Sequence, residues 1–572
     1  MSRLVRVSAI GLALGLAVTA LPISNIAKAK DNEYKLDYTF ASKEAGKAQG
    51  TITFTSDVPG EYKVFWSDVN DNNLTKNGVE YTEISTLKVT QASKPEKIEL
   101  KSSYYAIPEN AKKLIVKNSD EEIVDTYEIP DNKIKKYGEK KYDFAVMSDV
   151  HYNRYPQESK ALPSSADLSV KAFDEALKFN SEIGVNKLFL TGDLSNQGEI
   201  DAYNKYNTAI KKYPDMTVYT CMGNHDVSWT KNAVEMVNQF KANVNTKKNT
   251  DKKVVDIAGN NLDFVYNEGN DYFVILSQVR ARYYKTATLL DDSQITWLNK
   301  IFNKYSDKNI YVFFHTYLAN YNGDVKTAVG NLVNPAGYTY DLTYPYKAKD
   351  EVKFRELLNK YSNVTLFSGH SHWAYDQVKY NPYLMMGNVN AKSSGATLIH
   401  VPSLAAPRTI ESDTKNRDEN FGEKSEATVA TRYDKTTVYT GIDYKLKKFM
   451  GYGVYEALDG KAVAKENAIK VGKSKISKVS KIKKTSKKSK KYQATVKIKK
   501  ASNAVKYQVQ YSTNSKFKKS KTKTITVNKL KFTIKKLKKK TKYFIRVRAV
   551  GYQFYEDIYT SWSGKKKFKT KK

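Results

Sequence analysis

Five of the chain's six histidines follow directly on short apolar runs, and carboxylates or an amide sit beside them. After "DFAVMS" come Asp149 and His151; after "KLFLT" come Gly192 and Asp193; after "TVYTC" come Gly223, Asn224, His225 and Asp226. After "IYVFF" comes His315, and after "VTLFS" come Gly369, His370 and His372. Asp and neutral imidazole are hard-to-borderline ligands that suit Mn, Fe or Zn, and a carboxylate such as Asp193 can bridge two cations. Asn224 offers an oxygen without adding charge. Two dications about 3.5 to 4 Å apart can clamp a phosphoryl group, lower the pKa of a bridging water and stabilise the leaving oxygen. The glycines ahead of Asp193, Asn224 and His370 suit tight strand-to-loop turns.

For these residues to converge, the apolar runs must lie side by side as strands. "YDFAVMS", "KLFLT", "TVYTC", "NIYVFFH" and "VTLFSGH" read as buried strands, and "LSVKAFDEALKFNSEIG", "EIDAYNKYNTAIKKY" and "EVKFRELLNKYS" have helical spacing. Strands alternating with helices predict βαβ units and a largely parallel sheet, whose carboxyl ends are where an open α/β sheet places its ligands. "GATLIHVPS" and "ATVATRYDKTTVYTGIDY" add strands at the end. His400, in the first of these, lies outside the pattern and reads as a strand residue in a second sheet. Cys221 is the single cysteine, so no intramolecular disulfide can form, and its apolar setting predicts a buried, inert thiol.

The blocks DxH, GD, GNH with Asp, a lone His and GHxH all occur, in order, between Asp149 and His372. As a set they resemble the calcineurin-like metallophosphoesterase family, over roughly residues 140 to 450. The resemblance implies a four-layer α/β/β/α sandwich with two divalent metal ions (Mn, Fe or Zn), one held by Asp149, His151, Asp193 and His372. The second would be held by Asp193, Asn224, His315 and His370. His225 is left over and would face the substrate, stabilising the transition state or protonating the leaving group, with Asp226 orienting it. Purple acid phosphatases have a tyrosine three residues after the GD aspartate, where this chain has Asn196; serine/threonine phosphoprotein phosphatases have GDxVDRG, where it reads "GDLSNQGE". A phosphodiesterase or nonspecific phosphatase using a metal-activated hydroxide fits better, and the same metal pair serves both. Loops as long as residues 316–349 are often functional, so Tyr317, Tyr321 and Tyr338 are expected to wall the substrate cleft.

The flanks have other textures. Residues 1–29 read as a signal peptide: Arg3 and Arg6, an apolar run from Val7 to Leu21 shorter than the roughly 20 residues a span needs, and the small-x-small site Ala27–Lys28–Ala29. Residues 30–138 alternate with period two and frequent turns, predicting a β-sandwich. Residues 139–470 are the catalytic domain. In 471–572, after the Lys- and Ser-rich junction "KSKISKVSKIKKTSKKSKK", "YQVQYSTN" and "YFIRVRAV" alternate again, and the pattern from Leu537 through Tyr543 to Ala549 resembles a fibronectin type III sandwich with its tyrosine corner.

The net charge of +36 suggests nucleic-acid binding until it is located: residues 461–572 hold 38 Lys and Arg against three acidic residues. Because the excess is Lys rather than forked Arg, it argues against sequence-specific readout of bases. An exported, Lys-rich module instead predicts attachment to an anionic cell-envelope polymer, with extracellular nucleic acid as a second candidate, hence a secreted, cell-surface-associated enzyme acting on phosphate esters. The alternative is an adhesin or envelope-binding protein whose catalytic domain is idle, though an idle site is free to lose ligands that are all present here.

Overall fold

The computed structural model describes residues 33–153, 165–227, 233–278, 290–317, 349–379, 386–388, 395–409, 424–456, 471–486, 489, 491–553 and 556–570. The expected signal peptide, Tyr321 and Tyr338 lie outside the described residues. Among the described residues no helix is long and apolar enough to cross a membrane.

The central region is a mixed α/β fold. Its strands are β1 (Lys140–Met147), β2 (Lys187–Leu190), β3 (Thr217–Thr220), β4 (Val254–Ile257), β5 (Phe264–Glu268), β6 (Asp271–Ile275) and β7 (Asn309–Phe313). They continue as β8 (Val364–Ser368), β9 (Met386–Asn388), β10 (Thr397–His400), β11 (Glu426–Tyr433), β12 (Thr437–Asp443) and β13 (Lys448–Glu456). The described helices are α1 (Ser165–Glu182), α2 (Ile200–Lys211), α3 (Ala233–Asn243), α4 (Asp292–Lys304) and α5 (Lys349–Leu358). One sheet has the order β3-β2-β1-β11-β12-β13 and the other β4-β5-β6-β7-β8-β10-β9. β1, β2 and β3 run parallel, as do β6, β7, β8 and β10, while the hairpin strands at the other ends are antiparallel.

Side-chain alternation explains how the second sheet buries both faces. Phe264, Tyr266, Phe273, Ile275, Tyr311, Phe313 and Phe367 join a core shared with the first sheet and with α1 and α2. There Phe189 stacks on Phe273 and Phe313, with ring centroids 4.7 and 4.6 Å away. The intervening residues Val265, Val274, Val312, Phe314 and Leu366 join a separate core with Leu298 and Phe302 of α4 and Phe354 and Leu358 of α5. α4 starts with a capping box, the Asp291 carboxylate accepting from the Gln294 backbone and the Gln294 amide oxygen accepting from the Asp291 backbone. His400 ends β10 in the second sheet and is buried, as is Cys221, whose thiol burial pushes well up.

The N-terminal strands form a three-stranded, a four-stranded and a two-stranded sheet, but their core is continuous with the central one. They settle on β13, the outer strand of the first sheet. Thr82 N donates to Phe449 O, Ala106 N to Val454 O and Trp66 Nε1 to Gly451 O, at 2.7, 3.0 and 2.8 Å. Backbone groups that an edge strand would leave open are thereby covered. The buried Lys47 ammonium lies 3.1 Å from the buried Glu456 carboxylate, which Lys135 also contacts.

Residues 471–570 have a core of their own, with Val496, Val509, Ile545 and Val547 fully buried between a three-stranded and a five-stranded sheet. Tyr543 Oη accepts from Lys538 N at 2.9 Å, a hydroxyl reaching back to upstream backbone. Within the Lys- and Ser-rich junction, Ile476–Lys484 is a strand paired with Tyr492–Ile498. Its apolar residues, Ile476, Val479 and Ile482, recur every third position, which hides strand periodicity. Two register shifts in the pairing, after Ile476 and after Ser480, let all three reach the core.

Removing one partner of a buried ion pair leaves the other charge stranded. Glu456→Ala should therefore lower unfolding free energy by about 3 to 5 kcal/mol in chemical denaturation, against little change for Glu121→Ala in the exposed Lys63 pair.

Candidate metal centre

Because the two sheets face each other, the carboxyl ends of β1, β2, β3, β7 and β8 open toward a common place. All the expected residues arrive there. The backbone turns sharply to deliver them: Asp149, His151, Asp193, His370 and His372 have φ of 52, 53, 52, 71 and 63°, the left-handed region that non-glycine residues adopt at a cost of about 1 to 3 kcal/mol each. Asp149 N donates to Gly192 O at 3.1 Å and His151 N to Asp193 O at 2.9 Å, tying the first two loops together. Of the three glycines, only Gly192 has a positive φ, 105°. Gly223 and Gly369 serve close approach instead: a Cβ there would stand 2.2 Å from Asp193 Oδ1 and 1.8 Å from Ser148 Oγ.

Three groups of potential ligands form, Asp149–His151–His372, His151–Asp193–His225 and Asp193–His315–His370. His151 joins the first group to the second, and Asp193 joins the second to the third. His372 Nδ1 faces Ala406 O at 3.2 Å and His315 Nδ1 faces Thr191 O at 3.0 Å, so each must donate, leaving Nε2 of the neutral ring as an acceptor. Those acceptors face further acceptors. His372 Nε2 is 3.0 Å from Asp149 Oδ1 and from His151 Nε2, and His315 Nε2 is 3.0 Å from Asp193 Oδ2 and 3.1 Å from Asn224 Oδ1. His370 Nδ1 is 3.0 Å from the same nitrogen. Asp149 Oδ1 is buried and accepts no hydrogen bond. Inward-facing lone pairs require a cation or protons among them, and the donor set of imidazole, carboxylate and amide oxygen suits borderline dications. The clusters fit a binuclear metal site.

The charges respond to this crowding. Burial works to raise Asp193, but the His315 and His225 imidazoles outweigh it and hold the carboxyl well below its usual range. Asp149 is likewise held well down, by His372 and His315 against burial. Burial works to lower His315, and the Asp193 and Asp149 carboxylates push it up to about 9.

The structure gives Asp226 a set of backbone and hydroxyl donors. Its carboxylate accepts from Ser195 N and Oγ, both at 2.8 Å, from Gly223 N at 2.9 Å and from Leu194 N at 3.2 Å. It pins two loops to each other, and burial and the Asp193 charge push it up to about 7 despite those donors. The ring of His225 faces Asn196, whose backbone and side-chain oxygens lie 3.0 and 3.2 Å from Nδ1. A ring turned by a backbone carbonyl leaves no mark in composition; only the Asn196 side chain, three residues after Asp193, was there to be read. Ser148 Oγ and His370 N donate to Asp149 Oδ2, and Ser403 Oγ donates to the Asp149 backbone oxygen at 2.9 Å, three contacts the motifs do not announce. Tyr317 is half-buried, its ring 5.7 Å from that of His370; the rest of the Tyr-rich loop lies outside the described residues.

Asp193→Asn should lower bound metal below two ions per chain in elemental analysis and cut turnover by more than about a hundredfold. For chelated protein, the raised His315 pKa means stability present in full below 6.5 and lost as pH rises through about 9. Its melting temperature should fall over that interval, while metal-loaded protein, which needs the ring neutral, should fall less.

No curated protein matches the chain. Among solved structures, a dimetal phosphatase from Danio rerio is 13% identical with a TM-score of 0.36, covering 56% of this chain and all of its own. A purple acid phosphatase from yellow lupin (Lupinus luteus) seeds is 13% identical with a TM-score of 0.33, covering 74% of each chain. The fn3 domain of human collagen alpha-1(XX) chain is 10% identical with a TM-score of 0.13, covering 17% of this chain and 86% of that one. These TM-scores are low, and the assignment rests on the family model "Calcineurin-like phosphoesterase", which matches residues 142–374. That span contains every residue of the cluster, so the chain carries a calcineurin-like phosphoesterase domain and is a metal-dependent phosphoesterase.

Proposed function

We propose that the protein is a secreted hydrolase of phosphate esters, a phosphodiesterase or nonspecific phosphatase that works with two divalent metal ions. The observation that carries this reading is the ring of acceptor atoms around Asp193. Asp149, His151, Asp193 and His372 would hold one ion, and Asp193, Asn224, His315 and His370 the other. When bound, such a pair supplies Lewis acidity toward water and offsets charge on the phosphoryl oxygens. The central region is then a four-layer α/β/β/α sandwich spanning 139–470, preceded by a signal peptide cleaved after Ala29 and a β-sandwich at 30–138. A Lys-rich, fibronectin type III-like module at 471–572 follows and attaches the enzyme to anionic polymer at the cell surface.

The chain's own residues divide the remaining work. Asp149 and Asp193, kept ionised by neighbouring imidazoles, hold negative charge where cations gather. His225 stands edge-on to His151 with ring centroids 4.8 Å apart, and its Nδ1 is engaged by Asn196, so Nε2 is the atom that carries a proton to the departing oxygen. Asn196, in the place where purple acid phosphatases have a tyrosine, fixes that ring rather than colouring a ferric ion.

Assay of metal-reconstituted protein with bis(p-nitrophenyl) phosphate beside p-nitrophenyl phosphate separates diester from monoester preference. Turnover of neither, with two ions bound, would overturn the enzyme reading and favour the idle adhesin. His225→Ala should keep both ions and lower kcat by about 10² to 10⁴-fold. Asn196→Ala should also keep both ions but flatten the acidic or basic limb of the pH–kcat profile.

A further inference from the structure

We infer that the outward face of the three-stranded sheet in the C-terminal module is a docking platform for a linear phosphodiester polymer without bases, such as a polyol phosphate chain. This deepens the attachment proposed above and rests on it. The sheet order is Ile476–Lys484, Tyr492–Ile498, Lys531–Leu537. Its register sets Lys478 opposite Lys497, and Lys497 opposite Lys531. All three are exposed, and among the described residues none of them makes an ion pair. With strands about 4.8 Å apart, the backbone positions of these three lysines form a row roughly 10 Å long.

Two residues along each strand, the next row is Ser480, Thr495 and Thr533, three hydroxyls on the same face. Beyond it Lys483 pairs with Gln493. Like charges directly opposite on neighbouring strands destabilise a sheet, so a row of three lysines works against folding unless something anionic lies on it. Lysines flanking a hydroxyl row are what an extended phosphate chain needs: charge for the phosphate oxygens and donors for the linking groups.

The absence of stacking surfaces on this face argues against a single-stranded nucleic acid. No outward position named above is aromatic. Aromatic rings lie instead on the other sheet, each already stacked on one side by a cation: Arg546 lies 4.1 Å from the Phe517 centroid and 4.7 Å from Trp562, and Arg548 lies 4.1 Å from Tyr559 and 4.6 Å from Trp562. Gln510 and Gln508 hold the two guanidinium groups from the side. Single-stranded nucleic acid draws much of its affinity from stacking on open rings, and the positions named on this face offer none.

The test uses the full-length chain with poly(glycerol phosphate), oligo(dT) of matched charge and double-stranded DNA, titrated over a salt series. The triple variant Lys478→Gln, Lys497→Gln, Lys531→Gln should weaken poly(glycerol phosphate) binding at least tenfold and reduce the slope of log K against log salt by about three. Its melting temperature should stay the same or rise, because the opposed charges are gone. The control triple Lys516→Gln, Lys518→Gln, Lys519→Gln removes as much charge from a loop elsewhere in the module and should change both quantities much less. Equal loss in the two triples would overturn the platform while leaving attachment by general charge intact. Tighter binding of oligo(dT) or duplex than of poly(glycerol phosphate) would overturn the choice of polymer. No salt-dependent binding by the unsubstituted protein would overturn the attachment reading itself.

Discussion

Around Asp193 the imidazole nitrogens of His315 and His151 turn toward carboxylate and amide oxygens that are, like them, electron-rich. A folded chain tolerates such an arrangement only with positive charge in its middle. The surrounding architecture is legible as the means of enforcing it. Parallel strands from two facing sheets deliver five loops to one place, backbone carbonyls at Thr191 and Ala406 fix the imidazole tautomers, and Gly223 and Gly369 let the loops approach within van der Waals distance. Asp226 holds the GD and GNH loops to each other from beneath, so their mutual position does not depend on what binds above them.

The local backbone strain belongs to the same constraint. Five residues that converge on the site sit in left-handed conformation, and three of them are histidines, whose side chains gain nothing from that geometry by themselves. The scaffold enforces it through backbone bonds between loops, such as those from Asp149 to Gly192 and from His151 to Asp193. The energy stored in this way comes from the hydrophobic cores on either side of the second sheet.

Much of this was readable in the sequence because ligand chemistry and strand ends coincide: five apolar runs, each ending in Asp, Asn or His, leave few ways to fold that do not bring those groups together. Helices α1, α2 and α5 were legible from their periodicity. Helix α4 went unread although "DDSQITWLNKIF" holds its whole signal, an Asp and a Gln at capping-box spacing followed by apolar residues at helical intervals. The junction strand Ile476–Lys484 was hidden for a physical reason, since its bulges convert a period of two into a period of three. The Asn196 contact on His225 was not legible, because it depends on how two loops meet rather than on neighbours in the sequence.

The seam between the N-terminal strands and β13 has a kinetic corollary. Lys47 and Glu456 are 409 positions apart, and Trp66 reaches Gly451 across 385. The N-terminal strands therefore cannot finish their interior until the last strand of the central region has been made. Contacts of such long sequence separation slow folding, because loop closure must precede their reward. The leading segment thus behaves less like a bead on a string than like a clasp, fastened at the end of assembly.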